Sequence, residues 1–223
     1  MPEARITPEV VVGITNLLIV AGIDTTWSSI GSALWHLGTH PEHRQRLVDD
    51  PEILPNAIEE YLRYYAPVTM ARIAETDIDN EGVHINRGDT VLLNFNAACH
   101  DPEQFENPDE FVIDRAVNLH IAVGSGIHRC AGSILARLEM TVALRVWLQR
   151  IPDFNVSDLE PTTWAGGQVR GQLVLPMSFP PAATRRSRPP DVQRRIVCRH
   201  VGSPAESSEF HDRGTIPRRP RRS

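Results

Sequence analysis

The chain has 223 residues, enough for one domain or two, with 41% hydrophobic residues and a net charge of −5. Its three cysteines show no paired spacing, which argues against a disulfide scaffold and fits a reducing compartment. Charge is uneven: residues 1–180 hold 12 arginines and 24 acids, residues 181–223 hold 11 and 4, and lysine is absent from the whole sequence.

Thr7-Pro8-Glu9 has the form of a helix start, with a capping hydroxyl, a proline at the first position and an acid in the first turn. The helix is expected to run to about Leu37, where Gly38 and Pro41 stop it. Val10, Val11, Val12, Ile14, Leu17, Leu18, Ile19 and Val20 leave its first half almost no polar face, so burial all round is expected. The apolar run 10–23 is short and broken by Asn16; it reads as a core helix and not as a membrane segment. Met1-Pro2-Glu3 lacks the positive region of a secretory signal, so a cytoplasmic location is expected.

Further helices are expected at about 41–48 and 51–65, the latter ending before Pro67. Residues 68–78, 83–85 and 90–95 read as short strands, with a turn at Arg87-Gly88-Asp89. Residues 100–120 are polar, proline-bearing and irregular. A helix from about 131 to 150 follows, then short strands near 154–156 and 173–175 around a turn at Gly166-Gly167. The fold class is therefore mainly α with a small β portion. Residues 181–223, past Pro180-Pro181, read as an arginine-rich disordered tail. As a nucleic-acid arm the tail offers Phe210 as its only aromatic and no accompanying fold, so nucleic acid is not an expected partner.

The richest chemistry surrounds Cys130, in Ala122-Val123-Gly124-Ser125-Gly126-Ile127-His128-Arg129-Cys130-Ala131-Gly132. The loop opens directly onto a helix, whose free N–H groups and dipole favour negative charge on the sulfur. Gly124, Gly126 and Gly132 let the backbone approach a large flat ligand. A cysteine placed so is a metal ligand or a nucleophile; the plainer alternative is a buried structural thiol. The loop resembles the haem-binding signature of the cytochrome P-450 family, Phe-Gly-x-Gly-x-His-x-Cys-x-Gly, with Val123 in place of the phenylalanine. The resemblance implies that Cys130 is the axial ligand of a haem b (iron protoporphyrin IX), that the thiolate pushes electron density onto iron, and that His128 faces a haem propionate.

Ala21-Gly22-Ile23-Asp24-Thr25-Thr26 sets an acid and two hydroxyls inside the apolar helix, where they need partners or a task. Backbone hydrogen bonding by the hydroxyls at a helix kink is the bland account. The segment also resembles the oxygen-activating part of the family's long central helix, which implies that Thr25 hydrogen-bonds dioxygen and Asp24 relays protons. Glu60 and Arg63 are three apart on one helix and can pair. In isolation such a pair is a solvated face; the family's Glu-x-x-Arg implies a buried structural network. The arginine that the family commonly adds in a Pro-x-Arg-Phe segment is replaced here by Glu110 in Pro108-Asp109-Glu110-Phe111, and Arg115 is the candidate substitute. Arg72 is either a surface strand arginine or, by the same resemblance, a propionate partner. Val20, Ala21, Val68, Thr69 and Gly166 would line a pocket for an apolar substrate. Cys99 reads as a small buried apolar group, and His36, His40, His43 and His100 as no metal-ligand cluster.

The resemblance runs over 1–180 and covers the C-terminal part of the family's catalytic domain: long central helix, Glu-x-x-Arg helix, Cys loop and following helix. It implies a haem-thiolate monooxygenase that takes electrons from NAD(P)H through a ferredoxin or flavodoxin type of partner. Two other readings stay open: a non-catalytic remnant that associates with another chain through its uncovered long helix, and a thiol enzyme using Cys130 as nucleophile.

Overall fold

The computed structural model describes residues 6–180 and the backbone of residues 194–199. The tail expectation for 181–223 otherwise lies outside the described residues. Within it, Arg194–Arg199 form a strand.

Helix α1 spans Pro8–Thr39. Thr7 is extended and its hydroxyl accepts the Val10 N–H at 3.4 Å, satisfying one of the free donors of the first turn. Pro8 occupies the first turn without loss, because its missing N–H would have had no helical partner. The helix passes through Gly38 and stops at His40, ahead of Pro41. Helix α2 spans Pro41–Asp49, and a 3-10 turn at Pro51–Ile53 leads into α3, Leu54–Tyr65. Ala66 closes α3 in the left-handed region at φ 30, with its N–H on the Leu62 carbonyl at 3.0 Å. Two hairpins follow. Strand β1 (Met70–Ile73) pairs antiparallel with β4 (Thr90–Leu93), and between them β2 (Ile78–Asn80) pairs with β3 (Val83–Ile85). A four-residue helix α4, Phe95–Ala98, begins at the last residue of the strand expected over 90–95. Helix α5 is Ser133–Arg150.

The last sheet is built on β7 (Gly171–Phe179), which pairs antiparallel with β5 (Asn155–Val156), β6 (Thr163–Ala165) and β8 (Arg194–Arg199). The core lies where the second half of α1 meets α3, α5 and this sheet. Leu37, Leu54, Ile58, Tyr61, Met140, Leu144, Phe154, Leu175 and Met177 are buried there. Small residues set the closeness of α1 to β7: a Cβ added at Gly171 would lie 2.6 Å from Ser28 Oγ.

Only the second half of α1 is buried, beginning at Thr26. Burial all round, expected from composition, does not hold. Residues 7–23 are exposed, with Leu17 67% and Val20 68% accessible, because the described elements pack on the C-terminal half of the helix. By length and composition α1 is the one described helix that could cross a membrane, with a window of mean hydropathy 1.6.

Gly171→Ala is expected to lower stability by about 1–3 kcal/mol, because overpacking forces Ser28 or the strand to move. The check is the denaturant midpoint, with the slope of the transition unchanged.

Candidate functional site

Residues 122–132 fold into a loop pinned by its own backbone. Cys130 N–H donates to the Val123 carbonyl and Gly124 N–H to the Ile121 carbonyl, each at 2.8 Å. Gly126–His128 make one 3-10 turn. Gly124 and Gly126 sit at φ +75 and +61, a region that side chains rarely adopt, and a Cβ at Gly124 would also press to 3.2 Å from the His128 carbonyl. Gly132 caps α5, and Ser133 N–H reaches back to the Cys130 carbonyl at 3.3 Å. Every residue from Ser125 to Gly132 is exposed, Cys130 included, and its thiol is free. Cys99 is the opposite case, fully buried, and burial pushes its thiol up.

Glu60 and Arg63 on α3 are both wholly buried. Arg63 Nε donates to Glu60 Oε2 and Nη2 to Oε1, each at 2.8 Å. The remaining guanidinium hydrogens go to the carbonyls of Cys99 and Pro108 (2.8 Å each) and Glu110 (2.9 Å). Glu60 accepts in turn from Val112 N–H at 2.9 Å, Asn118 Nδ2 at 2.9 Å and Arg115 Nε at 3.1 Å. Arg115 therefore supplies the third charge, and the solvated-face reading of this pair is overturned. Burial pushes the Glu60 carboxyl up, but the bonds from Arg63 and Val112 outweigh it and hold the carboxyl below the usual range.

The preceding residue, Glu59, was not singled out from the sequence. It faces another way and binds two groups at opposite ends of the Cys loop. Arg137 on α5 donates from Nε to Oε1 at 2.5 Å and from Nη2 to Oε2 at 2.8 Å. His120 Nε2 lies 3.0 Å from Oε2. Ala122 N–H donates to His120 Nδ1, which leaves Nε2 as the protonated nitrogen that donates to Glu59. Burial acts to raise the Glu59 carboxyl, yet these bonds hold it down at about 2. Its only sequence signal was an acid beside the Glu-x-x-Arg pair; the partners lie 61 and 78 residues away.

On α1, Thr25 is half-buried and its hydroxyl donates to the Ala21 carbonyl at 2.7 Å. Asp24 is half-buried beside it, and a Cβ at Gly22 would meet nothing within 4 Å. Val20 and Ala21 are exposed. Val68, Thr69 and the turn after β6 come together across the fold: Val68 bridges Val169, and Thr69 N–H donates to the Gln168 carbonyl at 2.8 Å, two residues from Gly166. Arg72, on β1, is half-buried and its Nη1 donates to the Ala71 carbonyl at 2.8 Å.

The family profile described as Cytochrome P450 matches residues 2–162. The chain belongs to the cytochrome P450 family. The "Biotin biosynthesis cytochrome P450" of Bacillus subtilis is 43% identical over 157 residues, which is 70% of this chain and 40% of that protein. The solved structure of the cytochrome P450 PksS of Bacillus subtilis has a TM-score of 0.76 at 36% identity, covering 80% of this chain and 47% of that one. CYP109E1 of Bacillus megaterium, solved in complex with testosterone, has a TM-score of 0.73 at 34% identity, covering 77% and 48%. The chain thus spans about two-fifths of the length of the curated relatives it matches.

The P450 match includes α1, so its exposed apolar stretch belongs to the family domain. The residues present fit a haem. The thiol is free and solvent-facing, Gly126 leaves the backbone open, and Ile127, Ile134 and Leu135 stand uncovered around the loop at 96%, 82% and 58% accessible. A porphyrin needs an axial donor and apolar cover, and this surface offers both.

A cleft of about 560 Å³ lies elsewhere, among Trp35, His36, His43, Tyr65, Phe111 and Trp164. His36 there bonds Tyr65 Oη at 2.7 Å and His43 at 2.8 Å, and burial pushes it down to about 3. Among the described residues no group of three His, Cys, Asp or Glu could hold a metal ion.

Two measurements follow from the buried charges. Glu60→Gln is expected to destabilise by about 3–5 kcal/mol, the scale of breaking a buried pair and leaving Arg63 uncompensated, read from urea unfolding. Stability should also fall with acid in two stages, because each folded group resists a proton that its unfolded form takes up. His36 acts as pH drops below 6.5, and Glu59 acts between 4.5 and about 2. In a pH series, Glu59→Gln should weaken the second stage, to which Glu60 also contributes, and His36→Gln should weaken the first, to which His43 also contributes.

Proposed function

We propose that this chain carries the thiolate side of a P450 monooxygenase that inserts one atom of dioxygen into an apolar organic substrate. The supporting observation is the loop itself: a free, exposed Cys130 held between two left-handed glycines and the start of α5. Cys130 would bind the iron of haem b, with Gly124, Gly126 and Gly132 keeping the backbone low. Bound haem supplies the redox metal at which dioxygen is reduced.

The chain's own residues orient that chemistry. His128 and Arg72 would each hold a propionate, the arginine by a charge-assisted bond. Thr25 spends its only hydroxyl hydrogen on the Ala21 carbonyl, so in this geometry it offers lone pairs, and it becomes a donor toward the reacting face when it lets that carbonyl go. Asp24, next to it, would move protons between solvent and that hydroxyl. Val20, Ala21, Val68, Thr69 and Gly166 would shape the substrate pocket. The Glu60–Arg63–Arg115 network braces the region and takes no part in proton transfer. Electrons would come from NAD(P)H through a ferredoxin or flavodoxin type of protein. An apolar substrate class is supported by the apolar side chains beside Thr25 and by the testosterone bound to one relative.

The test is the full chain supplied with haem, reduced under carbon monoxide. A red-shifted Soret band typical of thiolate ligation is expected, and Cys130→Ala should abolish it. A Cys130→Ala protein that kept the band would remove Cys130 as ligand. No haem uptake by the parent chain would favour a non-catalytic remnant.

A further inference from the structure

The Cys130 loop is short of side-chain anchors of its own. From Ser125 to Gly132 its residues are exposed, and two of them are glycines. Its backbone bonds, Cys130 to Val123, Gly124 to Ile121, Arg129 to Gly126 and Ser133 to Cys130, join the loop to itself and to the start of α5 but not to α3. The residues just outside it behave differently. His120 precedes the loop, is almost wholly buried, and accepts the Ala122 N–H at 3.2 Å while donating to Glu59. Arg137 follows the loop by one helical turn. It donates from Nη1 to the Ser133 carbonyl at 3.1 Å, next to the cap of α5, and grips Glu59 with its other two nitrogens. One carboxylate on α3 therefore holds both ends of the loop at once.

We propose that Glu59, His120 and Arg137 form a clamp that positions the Cys130 loop against α3, separately from the Glu60–Arg63 network. Adjacent residues on a helix diverge by about 100°, so Glu59 and Glu60 serve different partners. Glu60 binds Arg63 and groups at 112–118, whereas among the described residues Glu59 binds the two flanks of the loop. The clamp consists of charge-assisted bonds, one bidentate, which fix orientation as well as distance. Its neighbours on α3, Ile58 and Tyr61, are core residues, so the carboxylate stands on a rigid base. These three are positioning residues and touch no reacting atom. Their consequence for iron ligation rests on the reading of Cys130 given above; the clamp itself does not.

The test compares the full chain with Glu59→Gln and Arg137→Lys, the second keeping the charge and losing the two-pronged grip. Amide hydrogen exchange is read without haem at Cys130 and Gly124, and at Ala66, whose N–H closes α3. Glu59→Gln should speed exchange at Cys130 and Gly124 about tenfold more than at Ala66, the scale of losing one charge-assisted hydrogen bond. Arg137→Lys should show part of the same local effect. Equal acceleration at all three amides would make Glu59 a general stabiliser and overturn the proposal, as would no acceleration at Cys130 and Gly124. If Glu59→Gln fails to fold, the Arg137→Lys readings decide by the same criteria. With haem supplied, the variants should lose the red-shifted band about tenfold faster than the parent chain. A parent chain without that band would sink the iron-ligand reading, and the exchange data would still judge the clamp.

Discussion

A single guanidinium organises the least regular part of this protein. Arg63 has five N–H hydrogens, and its three nitrogens make five bonds: two to Glu60 and three to the carbonyls of Cys99, Pro108 and Glu110. A buried carbonyl without a donor costs free energy, and a segment with no regular secondary structure has no ladder to supply one. The segment 99–118 is such a piece of chain, and Arg63 stands in for the missing ladder. Burying a charge pair is not by itself stabilising, since desolvation offsets the attraction. Its value here is that every hydrogen and both carboxylate oxygens are used, so only one arrangement of the loop satisfies them.

Helix α3 extends this logic in two directions. Glu60 faces Arg63, Arg115, Asn118 and Val112; Glu59 faces His120 and Arg137. Together they tie the irregular segment, the approach to the Cys loop and the first turns of α5 to one rigid element. The Cys130 thiol stands exposed on the outer surface of this arrangement. Helix α1 shows a parallel division: its second half is packed by small residues against β7, its first half carries an uncovered apolar face, and Asp24 and Thr25 lie at the boundary between them.

Much of this was readable in the residues. Helix ends followed from local chemistry: Thr7 and Pro8 at one end of α1, Pro41 beyond the other, Pro67 after α3. The glycine spacing around Cys130 marked a loop, and both Gly124 and Gly126 take positive φ. Arg115 was legible as the stand-in for the arginine missing at Glu110, because the family pattern demanded a cation nearby. The strands β6 and β8 and the short helix α4 were not legible. Each is brief, and β8 lies in an arginine-rich stretch whose composition says disorder; pairing with β7 supplies backbone bonds that composition does not report.

What the sequence determined by itself was the chemistry available: a thiol on a glycine loop, an acid–threonine step in an apolar helix, and a glutamate and arginine three apart. Those are local facts, set by residue type and spacing within a turn or two. Only the tertiary structure decided which charges meet. Glu59 joins partners 61 and 78 residues distant, and nothing in their spacing encodes that contact. It decided burial as well, because apolar side chains on α1 state a preference, whereas being covered depends on which other elements arrive to pack on them.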